Sequence, residues 1–282
     1  MSPTRRIPWC TVSGMAFILL AATCAFGQTP RRIVSLAPSL TRQVYDLTCQ
    51  NRLVGITTFC PDYAKGKQVI GSLTLLNFEK ILTLKPDLVL ASTDSNRKND
   101  IEKLRRLGVK VEVFEGCEAF SCMCREFCRL GVLLGRGKDA DRIVAGVSSR
   151  ISGLRARLPA EGRPRVFWQM GTSPLITASG RTFTGEIIRA AGATNIFDSL
   201  PAKYPRVNVE SVAAADPDVI FVVSDMEDLE NGAASWRTFP RIKAVKANRV
   251  YVMDADLVCQ PTPGMYLKAF EAVMEKLYPG LS

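Results

Sequence analysis

Two stretches of the chain place a carboxylate at the head of the same phrase: EKILTLKPDLVLAS, Glu79 to Ser92, and ESVAAADPDVIFVVS, Glu210 to Ser224. Each carries an aliphatic residue two places after the Glu, reaches Pro-Asp after the same interval, and runs on into aliphatic and β-branched residues. A carboxylate at a helix start either complements its own helix dipole or, if exposed, meets a guanidinium bidentately. No histidine occurs in the 282 residues. That removes His-based zinc sites, Ser-His-Asp and Cys-His triads, and axial His ligation of haem. There is no GxGxxG fingerprint, no GxxxxGK loop and no outstanding carboxylate pair, so an α/β enzyme is disfavoured against a binding protein.

Nine cysteines are present. Cys10 and Cys24 fall in an N-terminal leader, which leaves Cys49, Cys60, Cys117, Cys122, Cys124, Cys128 and Cys259. In an oxidising compartment disulfides are expected, and the odd count leaves at least one thiol over. Cys49 and Cys60 flank the strand-like run RLVGITTF and are the expected local pair. Cys117, Cys122, Cys124 and Cys128 cluster, with Cys124 and Cys128 on one helix face. Three of them on one helix without a CxxC pair fit disulfides or buried thiols better than a metal site, so none is assigned. The pairing of Cys259 stays open.

The leader follows from Arg5 and Arg6, the apolar run Val12 to Phe26, and small residues at Ala25 and Gly27. That run is short of the ~20 residues a spanning helix needs, so export with Gln28 as the mature start is expected. Thr23 makes Cys24 a poor lipidation site, and lipid anchoring is the lesser alternative. A composition of 47% hydrophobic and 23% charged residues excludes disorder, and the length suggests about two domains. Without residues 1–27 the charge is +8, but no basic run with interleaved aromatics points to nucleic acid. An anionic ligand or a solvated surface accounts for the charge.

The elements that must position these residues alternate. Ile33 to Leu36, Arg52 to Thr57, DLVLAS and VKVEVF read as strands, separated by a helix from Ser39 to Leu47, by NFEKILTLK and by NRKNDIEKLRRLG. From Glu118 to Leu158 two helical stretches follow with only Gly135 to Lys138 between them. The alternation resumes at Arg163 to Gly171, with helices at TFTGEIIRAAGA and GMYLKAFEAVMEKLYP around ESVAAADPDVIFVVS. Alternation of this kind predicts parallel βαβ units, and the twin phrases, each preceded by an opening strand (RIVSLAPS and RVFWQMGTS), predict a duplicated lobe.

The string RIVSLAPSLTRQVYDL…RLVGITTFCPDY…VIGSLTLLNFEKILTLKPDLVLAS resembles the first lobe of periplasmic substrate-binding proteins of ABC importers for cobalamin, ferric siderophores and haem. ITASGRTFTGEIIRAAGATNIF and NVESVAAADPDVIFV are similar to the matching parts of the second lobe. The resemblance implies an α/β fold of two Rossmann-like lobes with parallel sheets, joined by a single long backbone helix. The expected division is a leader at 1–27, a first lobe at 28–135, the helix at 136–160, within KDADRIVAGVSSRISGLRARL, and a second lobe at 161–282. It also implies that Glu79 and Glu210 dock into arginine pockets on the two permease subunits of the importer. A periplasmic monomer with no resident cofactor is expected, its cargo being a corrinoid or another metal chelate.

Sites in such folds lie at the C-terminal ends of strands. The candidates are Ser35, Leu36, Ala37 and Pro38; Phe59 and Tyr63; Leu73 to Leu76; and Ser92 with Thr93. In the second lobe they are Trp168, Gln169 and Met170, then Arg181, Lys203, Tyr204 and Asp225. Phe59, Tyr63, Trp168 and Tyr204 would supply aromatic walls for a large planar ligand. Arg181, Lys203 and Arg206 would serve a ferric catecholate, haem would need Tyr or Met, and cobalamin needs mainly shape and aromatic surface. A corrinoid is favoured, with ferric siderophore or haem as the alternative.

Overall fold

A computed structural model describes residues 29–60, 62–64, 66–160, 162–223 and 231–281. The expected leader with Cys10 and Cys24, and the cleft candidate Asp225, lie outside the described residues.

The first lobe is built from β1 (Ile33–Ser35), α1 (Pro38–Asp46), β2 (Leu53–Ile56), β3 (Gln68–Val69), α2 (Phe78–Thr83), β4 (Leu88–Ser92), α3 (Lys98–Arg106) and β5 (Val111–Phe114). Its sheet runs β3-β2-β1-β4-β5 with every pairing parallel, in a register that sets Val34 beside Val89. Parallel strands are covered on both faces, which is why IVS and LVLAS are buried throughout. Alternate residues feed opposite layers: Ile33, Leu88 and Leu90 pack with Leu40 and Val44 of α1, while Val34, Val89 and Ala91 pack with Ile81, Ile101 and Leu104.

Two helices follow, α4 (Phe120–Leu133) and α5 (Gly137–Arg155), and they pack along each other. Gly135, at φ 71, makes the turn between them. The 19 residues of α5 rise about 28 Å. Ala140 near its start belongs to the first core, and Val147, Ile151 and Leu154 belong to the second. The expected backbone helix is therefore α5, and α4 runs beside it with Phe127 and Leu130 in the first core and Met123 in the second.

The second lobe contains β6 (Arg165–Thr172), β7 (Leu175–Thr177), α6 (Phe183–Ala190), β8 (Thr194–Asn195), α7 (Val209–Ala215) and β9 (Val219–Val223). It continues with α8 (Asn231–Trp236), α9 (Lys243–Lys246), β10 (Val250–Met253), α10 (Ala255–Val258) and α11 (Pro263–Leu277). The sheet order is β10-β9-β6-β7, with β8 also on β6. Only β7 pairs antiparallel among the described strands. Trp168 and Phe221 face one core layer, with ring centroids 5.0 Å apart, and Phe167, Ile220 and Val222 face the other.

The repeated phrase forms the same bracket in each lobe. Asn77 caps α2 by accepting from the Lys80 N–H at 2.9 Å, and Asn208 caps α7 by accepting from the Ser211 N–H at 2.8 Å. Just beyond each helix the residue before the proline is left-handed, Lys85 at φ 46 and Asp216 at φ 44. The following aspartates hold the opening strands: Asp87 accepts from the N–H groups of Arg31 (2.7 Å) and Arg32 (3.0 Å), and Asp218 from that of Arg165 (2.8 Å). The guanidinium of Arg32 donates to the Leu84 carbonyl at the end of α2, and Arg165 to the Ala215 carbonyl at the end of α7. With Asn capping both helices, Glu79 and Glu210 are left exposed at the second helical position, and neither forms an ion pair among the described residues.

The expected Cys49–Cys60 disulfide does not form. Cys49 is buried with its thiol toward the Leu47 carbonyl, and the Cys60 thiol donates to Thr41 Oγ1. The two residues sit beyond opposite ends of β2, whose four extended residues span about 13 Å, past the ~7 Å Cα limit for a bridge. The disulfide present joins Cys117 to Cys122, with Cα atoms 5.5 Å apart, across the turn into α4. Cys124, Cys128 and Cys259 are outside any disulfide. Among the described residues no group of three or more Cys, Asp or Glu is arranged to hold a metal ion.

Candidate functional site

A cavity of about 330 Å³ opens between the lobes, at the C-terminal ends of the first lobe's strands and the start of α6 in the second. Its first-lobe wall is made by Ser39, Leu40 and Gln43 of α1 and by the ends of β4 and β5. A tight turn after β4 presents Asp94: Asn96 accepts from the Ser92 N–H at 2.8 Å and donates to the Leu36 carbonyl at 2.9 Å, and the Asp94 N–H donates to Ser92 Oγ. Gly116 makes room for that carboxylate, since a Cβ there would lie 1.8 Å from Asp94 Cγ. The second-lobe wall is made by Arg181, Thr182, Phe183, Lys203 and Tyr204, with Cys259 and Pro261 at the rim.

The charges of the site are largely committed. Lys203 Nζ lies 3.1 Å from Glu118 Oε1 and 3.5 Å from Asp94 Oδ1, so a second-lobe ammonium is tied across the cleft. Partial burial opposes the charge of Lys203, but the hydrogen bond to Glu118 and the charges of Asp94 and Glu118 outweigh it and raise its pKa above the usual lysine value. Glu126 is nearly buried and paired with Arg129 at 2.8 Å, and it also accepts from the Glu115 N–H. Glu115 itself pairs with Arg125 at 3.6 Å. Arg181 donates to the Pro201 carbonyl and is otherwise exposed. Tyr204 stands half exposed on this wall. Behind the wall, Arg42 of α1 donates to Gln260 Oε1 at 3.4 Å, a second contact between the lobes.

Of the sequence candidates, Ser92, Arg181, Lys203 and Tyr204 line this cavity. Others belong to the core instead. Ser35 is fully buried and donates to the Ala37 carbonyl; Leu36 and Leu76 pack in the first lobe. Trp168 is 0% exposed beneath the second sheet. Gln169 is buried, accepts from the Trp236 indole at 2.7 Å and donates to Thr172, so both ends of its carboxamide are engaged within the second lobe. Pro38 opens α1 without reaching the wall. Phe59, 71% exposed, and Tyr63, stacked under the Arg42 guanidinium, stand outside the cavity. The aromatic surface that does line it is Phe114, Phe183 and Tyr204. Sequence reasoning missed Gln43, Asp94 and Glu118. Gln43 was within reach, because it lies one turn along the helix that follows the first strand.

Two α/β lobes spanned by one long helix, with a cleft at the ends of their strands, define a two-lobed solute-binding protein. The chain belongs to the periplasmic binding protein family, whose profile matches residues 33–257. It is 28% identical over 273 residues to a vitamin B12-binding protein of Vibrio vulnificus, covering 93% of this chain and 95% of the relative. A vitamin B12-binding protein of Yersinia pestis is 28% identical over 223 residues, with 78% and 79% covered. Among solved structures, the periplasmic vitamin B12 binding protein BtuF of Vibrio cholerae superposes with a TM-score of 0.77 at 28% identity, covering 88% of this chain and 97% of that one. The periplasmic heme-binding protein HutB of the same species shares the fold, with a TM-score of 0.78 at 20% identity and coverage of 88% and 99%. The family and these relatives are binding proteins rather than enzymes. Among the described residues no helix is long and apolar enough to cross a membrane.

Proposed function

We propose that the protein, exported by its N-terminal leader, captures a corrinoid in the interlobe cleft and delivers it to the permease dimer of an ABC importer. The observation that carries the corrinoid assignment is the likeness to vitamin B12-binding relatives over nearly the whole chain, together with a cleft lined from both lobes. The fold of the lobes supports capture with only a modest change in their separation, because α5 is anchored in both cores and limits hinge motion. Ser92, Arg181 and Tyr204 are the candidate ligand contacts retained from the sequence. The cargo is a metal chelate, and the protein needs no resident cofactor.

Docking through Glu79 and Glu210 is supported by their matched second positions on α2 and α7 and by their exposure. Two carboxylates related by the lobe duplication suit a two-fold partner carrying arginines, and each can be met bidentately. Calorimetric titration of the purified protein with cyanocobalamin, hemin and a ferric catecholate tests the ligand assignment. Tight binding of cyanocobalamin is expected. Binding of hemin or the catecholate in its place overturns the corrinoid reading and leaves the family assignment standing.

A further inference from the structure

Gln43 sits in the middle of α1, is 7% exposed and lines the cavity, yet its Oε1 is buried and accepts no hydrogen bond. Of the buried side-chain polar atoms left unbonded among the described residues, it is the one on the cavity wall. A buried acceptor without a donor opposes folding, and an apolar side chain of similar shape would not. Its neighbours keep it there. Arg42 reaches Gln260 across the cleft and ties α1 to the second lobe. With α1 so fixed, only the torsions of the Gln43 side chain itself can bring the carboxamide to a ligand in the cavity.

The rest of the wall decides what kind of group can meet it. The cations lining the cavity among the described residues are Arg181 and Lys203, and Lys203 is held between Asp94 and Glu118. Glu115 and Glu126 add two further carboxylates, each paired with an arginine outside the lining. A ligand carboxylate arriving here would face an orphan oxygen and a row of acids, with only the Arg181 guanidinium, which already donates to the Pro201 carbonyl, to receive it. A ligand carboxamide, in contrast, has an N–H to give to the Gln43 oxygen and carries no charge for the acids to repel.

We propose that Gln43 is a specificity-determining residue: it accepts a hydrogen bond from a peripheral amide of the ligand, so that the cleft takes an amide-decorated chelate in preference to a carboxylate-decorated one. This rests on the corrinoid reading, and it names the part of the corrinoid that the site recognises. In the bound state the orphan oxygen gains its donor, which adds to affinity for amides alone.

The test uses the whole mature protein with cyanocobalamin, and with cobinamide and cobyrinic acid, which both lack the vitamin's nucleotide and carry peripheral amides and carboxylates respectively. Gln43→Leu should weaken cyanocobalamin roughly ten-fold, one hydrogen bond's worth, while the apo protein melts no lower than the wild type. Gln43→Glu, which keeps an oxygen acceptor, should bind closer to the wild type than the leucine variant does. The wild type should bind cobyrinic acid at least ten-fold more weakly than cobinamide, a comparison that stands even if a variant misfolds. Equal affinity of wild type and Gln43→Leu for cyanocobalamin, or equal affinity of the wild type for cobinamide and cobyrinic acid, overturns the role of Gln43. Failure of the wild type to bind any corrinoid overturns the corrinoid reading itself.

Discussion

Replacing Lys203 by methionine should tighten ligand binding. In the unliganded protein the ammonium lies 3.1 Å from Glu118 and 3.5 Å from Asp94, and the three side chains are 39%, 42% and 53% exposed. Pairs this exposed contribute about 0.2–1 kcal/mol each, so two sharing one ammonium amount to about 1 kcal/mol. The cavity they help to close is about 330 Å³, at the low end of the ~300–1,000 Å³ of sites for drug-sized molecules. A macrocyclic chelate therefore needs the lobes further apart, and opening them breaks both pairs. Lys203→Met keeps the aliphatic stem and removes that opposition, which predicts a Kd for cyanocobalamin about five-fold lower. Salt gives a second reading, because at 1 M the Debye length is about 3 Å and the pairs are screened. Calorimetry at 0.05 M and 1 M NaCl should show wild-type affinity rising with salt and variant affinity nearly constant. The raised pKa of Lys203 keeps it protonated across the neutral range. Weaker binding by Lys203→Met would refute the reasoning and make Lys203 a ligand contact.

Glu79→Ala combined with Glu210→Ala should abolish association with the permease in detergent or nanodiscs while calorimetric affinity for cyanocobalamin stays unchanged; a loss of ligand affinity would show that the glutamates serve the cleft. Burial raises the Glu186 carboxyl above its ordinary 4.5, against the hydrogen bond from the Phe120 N–H and the charges of Arg189 and Arg155. Its stabilising contribution is then present below that ordinary value and lost as pH rises through the folded value. The stability of wild type minus Glu186→Gln should accordingly fall between pH 4 and pH 7, and denaturant melts giving a flat difference would contradict this. Asp87→Ala should destabilise more than Asp218→Ala, because Asp87 holds two backbone N–H groups and Asp218 one. Each exposed hydrogen bond lost costs about 0.5–1.5 kcal/mol, a melting shift of a few degrees, and equal shifts for the two variants would show that solvent replaces the missing acceptor.

The lobes, the twin brackets and the long helix were legible in the residues, because they depend on local periodicity. LVLAS and VIFVV are buried strands wherever they occur, Pro-Asp ends a helix, and a 19-residue amphipathic stretch between two α/β blocks can only span them. The candidate site was legible only in part. Strand-end reasoning named Ser92, the last residue of β4, and Arg181, Lys203 and Tyr204 on loops beyond the sheets, and these four line the cavity. It failed at Ser35, Trp168 and Gln169, since a residue at a strand end faces either the cleft or a core layer and the sequence does not say which. The disulfide failed for a related reason: Cys49 and Cys60 are near in sequence, but a straight strand holds them apart.

By itself, then, the sequence determined the fold family, the duplication and the absence of histidine chemistry, all of which are written in residue types and short-range spacing. Only the tertiary structure decided which side chains share the cleft. Lys203 meets Asp94 across 109 positions, and Gln43 is left without a donor, because two separately folded lobes are set face to face by α5. Contacts between lobes depend on the rigid placement of whole domains, and no local pattern encodes that placement.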